Sequence, residues 1–162
     1  MSEQISLPTT TDRVELYSAL APQIRELLRE EKDPIAAMAN MCAALREAFG
    51  WHWIGFYRVL GTELVLGPFQ GPVACARIGH GKGVCGTAWA EHRSLVVPDV
   101  ERFPGHIACS ALSRSEIVVP VRASGGRIAA VLDIDSTELA DFSEVDVHAL
   151  EDLCALLEPL FG

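Results

Sequence analysis

Three cysteines stand where chemistry is most accessible: Cys75, Cys85 and Cys109, spread through a stretch from Gly71 to Asp135 rich in glycine and histidine. Cys109 closes the series, in the tripeptide Ala108-Cys109-Ser110. A thiolate is a strong nucleophile and opens the route to sulfenic acid and disulfide. The other two, Cys42 and Cys154, lie inside apolar helical patterns, where free cysteine packs as a small hydrophobe. Five cysteines is an odd number, and in a chain read as cytoplasmic the resting state is reduced thiol. The stretch reads as a thiol active site with the rest of the chain as scaffold.

Carboxylates follow the cysteines. Asp133 and Asp135 alternate across Ile134, so both point to one face of a strand. Acidic residues are depleted in strands, and two on one face need a reason beyond a solvated strand end. Glu116 opens the strand expected to pair with theirs, so all three carboxylates can converge. Like charges in one place raise one another's pKa, and a carboxyl kept protonated can donate a proton. An ammonium group would favour keeping some of them ionised.

Two other chemistries fit the sequence less well. Gly81-Lys82-Gly83-Val84-Cys85-Gly86 fits G-x-G-x-x-G, with Asp99 near the distance of a ribose-binding acid. The preceding strand is short and polar, and too little chain follows to build a doubly wound sheet. What survives is a glycine-rich turn presenting backbone N–H groups at a helix N-terminus, where a substrate carboxylate could bind. Cys85, at that terminus, would have a lowered pKa if exposed. Cys75, Cys85, Cys109, His80, His92 and His106 are soft ligands, but no C-x-x-C knuckle or H-x₃₋₅-H pair is present, so no metal is expected.

The elements that must position these residues are legible from periodicity. Leu16, Leu20, Ile24, Leu27 and Leu28 mark a helix over about Thr11 to Arg29. A second helix has Asp33 as N-cap, Pro34 in its first turn and Gly50 past its end, with Ile35, Met38, Met41, Cys42, Leu45 and Phe49 as its buried face. Trp51 to Leu60 reads as a strand, with Trp51, Trp53 and Tyr57 on one face, where the aromatics beside Gly55 could wall a small pocket. Leu64 to Leu66 pairs back on it. A short strand around Ala74 to Ile78, a helix from Val84 to His92, a strand from Ser94 to Val97 and a loop over Pro98 to Pro104 fill the middle. Ile117 to Val121 and Ile128 to Ile134 form a hairpin across Ser124-Gly125-Gly126. The last helix starts at Ser143, with Asp146 completing a capping box, Phe142 and Val147 as a staple, and Val147, Leu150, Leu153, Cys154 and Leu157 toward the core.

The whole fits one α+β domain over residues 1–162, with a largely antiparallel sheet covered by terminal helices. At 162 residues and 49% hydrophobic content the chain can bury a real core. No apolar run approaches the ~20 residues of a membrane span, and Met1 to Asp12 lacks the pattern of a signal peptide. A soluble cytoplasmic protein is expected. A net charge of −9 disfavours nucleic acid and anionic membranes and tolerates an ammonium substrate.

Several of these motifs occur together in a known family. Gly71 to Ile78, Gly83-Val84-Cys85-Gly86-Thr87-Ala88, Val97-Pro98-Asp99-Val100, His106-Ile107-Ala108-Cys109, Ser115 to Val121 and Leu132-Asp133-Ile134-Asp135-Ser136 stand in the order found in free methionine-(R)-sulfoxide reductases, stand-alone proteins of the GAF fold, which this chain resembles from Trp51 to Ser136. The resemblance implies a six-stranded, mainly antiparallel sheet packed with N- and C-terminal helices. It implies reduction of free methionine-(R)-sulfoxide to methionine through a cysteine sulfenic acid and an intramolecular disulfide, with thioredoxin as electron source and no metal or organic cofactor. A role in oxidative stress goes with it.

Carried over by position, Cys109 is the catalytic thiol and Cys75 the resolving one, joined as the redox disulfide. Cys85 is a third family cysteine, and the choice of resolver between it and Cys75 rests on the family alone. Glu116, Asp133 and Asp135 bind the sulfoxide oxygen and amino group; Trp53 packs on the substrate methyl, and Tyr57 shares the substrate-binding wall. Ser110 departs from a family aspartate. Two rival readings use the same residues: a small-ligand GAF sensor module, and a thiol redox sensor without turnover. The oligomeric state is left open, with a homodimer as one candidate.

Overall fold

Asp12 and Asp33 each start a helix by accepting hydrogen bonds from orphan backbone N–H groups. In the computed structural model, which describes residues 4–107 and 109–162, these helices are α1 (Arg13–Leu28) and α2 (Pro34–Phe49). Ala108, in the Ala108-Cys109-Ser110 tripeptide and the His106 to Cys109 motif, and residues 1–3, in the Met1 to Asp12 segment and the 1–162 domain, lie outside the described residues. Asp33 accepts from Ile35 and Ala36, and Gly50 closes α2 in the left-handed conformation at φ 64°. Leu16, Leu20, Ile24 and Leu28 are buried along α1, and Met38, Met41, Cys42 and Leu45 along α2. Ile35 departs from expectation and is exposed. It sits in the first turn of α2, one turn before the buried stripe begins.

The sheet contains β1 (Trp53–Leu60), β2 (Glu63–Gln70), β3 (Arg77–Gly79), β4 (Leu95–Val97), β5 (Ser115–Arg122) and β6 (Ile128–Ser136). Their order is β3-β2-β1-β6-β5-β4, with every neighbouring pair antiparallel. This is the six-stranded α+β architecture expected. β2 runs on through Gly67 and Pro68, well past the anticipated Leu66. Pro68 is tolerated because β3 pairs only with Glu63 to Val65, so no ladder partner is missing beyond them. The loop after β4 holds a short 3₁₀ turn, Val100–Arg102.

Trp51 also departs from expectation. β1 begins two residues after it, so the period-2 alternation does not reach back that far. Trp51 instead stacks on Phe49 at 4.3 Å between ring centroids and joins the core under the helices. The face shared by Trp53 and Tyr57 keeps only those two.

Each face of the sheet carries its own core. On one, Ile54, Phe56, Ile117, Val119 and Ile134 pack against α1, α2 and α4 (Glu144–Ala155). The capping box of Ser143 and Asp146 is formed, and Phe142, Leu150, Leu153, Cys154 and Leu157 are buried, with Val147 half-buried beside them. Arg13 binds Asp141 and Asp146 at 2.6 and 2.8 Å, tying α1 to the start of α4.

On the other face, Trp53, Tyr57, Val118 and Val131 pack with α3 (Gly83–Glu91). Here the third glycine of the G-x-G-x-x-G pattern has a packing role: a Cβ on Gly86 would collide with the Gly79 carbonyl oxygen. The pattern therefore seats α3 against β3, in an antiparallel sheet with no nucleotide-type crossover. This smaller core is the one that opens into polar chemistry.

Candidate active site

The polar cluster is built by strand register. Ile134 points into the helical core, which sends Asp133 and Asp135 to the opposite face. Glu116 of β5 lies opposite Asp135 of β6, and Asp133 is flanked by Gly55 and Val118. The three carboxylates converge as their alternation predicts. Glu116 is 5% exposed and Asp133 7%. Glu116 and Asp133 stand side by side with Cys85 against Asp133, and Ser113 lines the same pocket as Asp135. Asp133 Oδ1 is buried with no hydrogen-bond partner, an acceptor left open at the base of the pocket.

Burying carboxylates together favours their protonated forms. Burial first, and then the charge of Asp135, pushes Glu116 up to about 8. Asp133 is held well above the carboxylate range by burial and by Glu116, and Asp135 by burial and by Asp133. His106 lies 3.6 Å from Glu116, and burial pushes its pKa down. At neutral pH this is a contact between an uncharged imidazole and a protonated carboxyl rather than an ion pair.

The condition for a lowered Cys85 pKa, exposure at the helix N-terminus, is not met. Cys85 sits in the first turn of α3, where a helix N-terminus would favour thiolate, but it is 4% exposed. Burial and the adjacent Asp133 raise its pKa well above that of a free thiol. The desolvation cost outweighs the helix dipole. Cys85 Sγ and carboxylate oxygens of Glu116 and Asp133 lie within 4.8 Å of one another, close enough for the three to hold a cation if they shed their protons.

Cys75 and Cys109 are joined as a disulfide, with Cα atoms 5.8 Å apart across 34 residues of sequence. β1 anchors the Cys75 end, and the residue before it the Cys109 end. Trp53 donates its indole N–H to the Pro72 carbonyl at 3.0 Å, and the Tyr57 hydroxyl donates to the Cys75 carbonyl at 2.9 Å. On the other side, His52 Nε2 and Ser110 Oγ are 3.1 Å apart, and Cys109 N–H donates to the Ile107 carbonyl. Ser110 thus holds the Cys109 loop to the residue before β1. Cys109 is exposed, while Cys75 is half-buried against the core of Trp53 and Tyr57.

One pocket collects these groups. Cys109, Cys85, Glu116, Asp133, Asp135, Trp53 and Tyr57 all line it. Trp53 stacks on Phe69 at 5.3 Å and covers Gly55, where a Cβ would come within 2.7 Å of the indole ring. Cys75 lies behind the pocket wall, reached through its bond to Cys109. Sequence reasoning missed the supporting partners His52 and Ser113. Neither carries a pattern of its own, because each acts through a loop that only the fold brings near.

The arrangement is a compact pocket with an aromatic wall, a floor of buried carboxyls with one open acceptor, and a disulfide sulfur in its lining. The GAF domain family model matches residues 31–159. GAF domain-containing protein A of Dictyostelium discoideum is 51% identical over 98% of this chain and 99% of its own length. The free methionine-R-sulfoxide reductase of Escherichia coli K12 is 44% identical, covering 93% of this chain and 92% of its own. The crystal structure of the free methionine-R-sulfoxide reductase of Neisseria meningitidis in complex with its substrate superposes with a TM-score of 0.92 at 50% identity, covering 98% of this chain and 96% of that one. The chain belongs to the GAF-domain family of free methionine-R-sulfoxide reductases.

Proposed function

We propose that this protein reduces free L-methionine-(R)-S-oxide to L-methionine by thiol chemistry at Cys109. The observation that carries the reading is the Cys75–Cys109 disulfide at the rim of a pocket floored by Glu116, Asp133 and Asp135. In the reduced enzyme the Cys109 thiolate attacks the sulfoxide sulfur, while a protonated carboxyl centred on Glu116 gives its proton to the sulfoxide oxygen. The attack forms a bond between Cys109 Sγ and the substrate sulfur. The protonated oxygen then passes from the substrate sulfur to Cys109 Sγ as that Sγ–S bond breaks with its electron pair returning to the substrate. Methionine departs reduced by two electrons, and Cys109 is left as a sulfenic acid, oxidised by two. Cys75 then attacks Cys109 Sγ, water leaves, and the disulfide forms.

Substrate recognition follows from the same side chains. The ammonium group donates to the open Asp133 Oδ1, where its charge offsets the cost of an ionised carboxylate. Trp53 covers the methyl group, with Tyr57 beside it. Glycine-rich backbone at the start of α3 offers N–H groups to the substrate carboxylate. The carboxyl trio serves the amino acid, and the cycle requires no metal or organic cofactor.

Thioredoxin reopens the disulfide by thiol–disulfide exchange, as suits a cytoplasmic compartment that keeps thiols reduced. The test supplies thioredoxin, its reductase and NADPH, then adds free methionine-(R)-sulfoxide. NADPH consumption that depends on the sulfoxide is expected in wild type and none in Cys109→Ser. A silent wild type, or a fully active Cys109→Ser, would sink the assignment.

A further inference from the structure

The two segments that carry the disulfide differ in charge from the rest of the chain. No aspartate or glutamate occurs from Leu64 to Ala90, nor from Arg102 to Ser115, although the chain holds 22 acidic residues against 13 basic ones. The same segments contain Arg77, Lys82, Arg102 and Arg114. Arg77 and Arg102 are paired, with Glu63 and Asp99. Lys82 and Arg114 are exposed and form no ion pair among the described residues. In a strongly acidic protein, the segments that carry the disulfide thus hold two positive charges outside any ion pair among the described residues, Lys82 on the pocket lining with Cys109 and Arg114 five residues beyond it in the chain.

Apolar side chains are exposed in the same place. Val73 is 88% and Leu112 63% exposed, and Ile107 is also on the surface. Val73, Ile107 and Lys82 share the pocket rim with Cys109. Leu112 follows Cys109 closely, its N–H donating to Ser110 Oγ at 3.3 Å. Val73 and Ile107 beside Cys109, with Leu112 three residues further along the same loop, place exposed apolar side chains together on the disulfide-bearing segments, the pattern of a contact surface.

We propose that Val73, Ile107 and Leu112, flanked by Lys82 and Arg114, form the landing surface for a dithiol protein of the thioredoxin class whose own contact face is apolar and acid-rimmed, and that its first thiol attacks Cys109 Sγ. Attack on Cys109 follows from access, since Cys109 is exposed and Cys75 is packed against the core. A new S–S bond forms between the partner's first sulfur and Cys109, and Cys75 leaves as the thiolate with the bonding electron pair. The partner's second thiol then attacks its own first sulfur. That step releases Cys109 as thiolate and leaves the partner oxidised. Opposite charges speed the encounter, and the apolar centre supplies affinity.

The inference rests on the reductase reading, and the test separates the two. Turnover is measured in wild type, Leu112→Asp and Arg114→Glu with two reductants, thioredoxin and the small dithiol dithiothreitol. Both variants are expected to raise the KM for thioredoxin about tenfold while the dithiothreitol-driven rate stays within about twofold of wild type. Added salt should raise the thioredoxin KM of wild type and leave the dithiothreitol rate unchanged. An unchanged thioredoxin KM, an equal loss with both reductants, or a change in oligomeric state alone overturns the proposal. A wild type inactive even with dithiothreitol instead overturns the reductase reading. A thioredoxin lacking its second thiol should be trapped on Cys109, and a mixed disulfide mapped to Cys75 would refute the point of attack.

Discussion

Trp53 stands directly opposite Asp135 in the ladder between β1 and β6. One register position therefore sets an aromatic wall beside the carboxyl floor, and the next pair on that face sets Gly55 beside Asp133. The glycine is what lets the indole lie flat across the strand, since a Cβ there would strike both Trp53 and Phe69. An apolar surface and a hydrogen-bonding acid are thus placed within one side chain's length of each other. That suits a substrate whose methyl group and sulfoxide oxygen sit on the same sulfur.

Truncating the wall should separate binding from scaffold. Trp53→Ala is expected to raise the KM for methionine sulfoxide by about tenfold or more and to cost about 3 kcal/mol of stability. Trp53→Phe keeps a ring but loses the N–H bond to Pro72, so it should cost about 1 kcal/mol and raise the KM less. Steady-state kinetics with urea unfolding of both variants checks the order. Equal KM values in wild type and Trp53→Ala would remove Trp53 from the substrate wall.

Protonation of the carboxyl floor should appear in the rate. Glu116 is pushed up to about 8, chiefly by burial, so it holds its proton at neutral pH and loses it above. The cluster shares its protons, and the apparent value belongs to the group. kcat/KM is expected to fall as pH rises through about 8, because the proton donor for the departing oxygen is then lost. In Glu116→Gln the rate should drop about a hundredfold and the alkaline limb should disappear. A variant profile that retains that limb assigns it to another group.

Stability should respond to the same charges with a definite sign. The folded-state pKa of Glu116 lies above its ordinary 4.5, at about 8, and those of Asp133 and Asp135 lie well above 3.8. Between the two values the folded state holds more protons than the unfolded state. Unfolding free energy therefore falls as pH rises through that window, by up to about 1.4 kcal/mol per pH unit for each such group. Glu116→Gln has no charge to bury at that position and should lose less stability between about pH 5 and about pH 8. Parallel pH profiles for wild type and variant would show that burial at Glu116 carries no such cost.

Much of this site is written in local patterns. The alternation of Asp133, Ile134 and Asp135 states which face each residue takes, and a hairpin turn of two glycines brings Glu116 alongside. Helix caps at Asp33 and Ser143 likewise follow from their own side chains. What local pattern misses is long-range. Trp51 looks like a strand partner of Trp53 until Gly50 turns the chain, and Cys85 looks reactive until Asp133 and the sheet bury it. The bond between His52 and Ser110 joins residues 58 positions apart, with neither of them signalling the other. Periodicity reports the face of an element; it does not report what the opposing element brings.

Cys75 and Cys85 differ in burial, in partners and in expected effect on turnover. Cys75 is bonded to Cys109, whereas Cys85 is buried close to Asp133, with a thiol pKa raised by burial and by that carboxylate. A buried, protonated thiol is a poor nucleophile toward a sulfenic acid. Cys75→Ser is therefore expected to release about one methionine per site in a single burst and then stop with thioredoxin, since the sulfenic acid on Cys109 goes unresolved. Cys85→Ser should continue to cycle, with a raised KM if the change of side chain beside Asp133 loosens the carboxyl floor. Rapid-quench counting of methionine, alongside dimedone labelling of the sulfenic acid, distinguishes the two variants. Sustained thioredoxin-linked turnover in Cys75→Ser would make Cys85 the resolving thiol, and the raised pKa from its buried setting would then have to be relieved during the reaction.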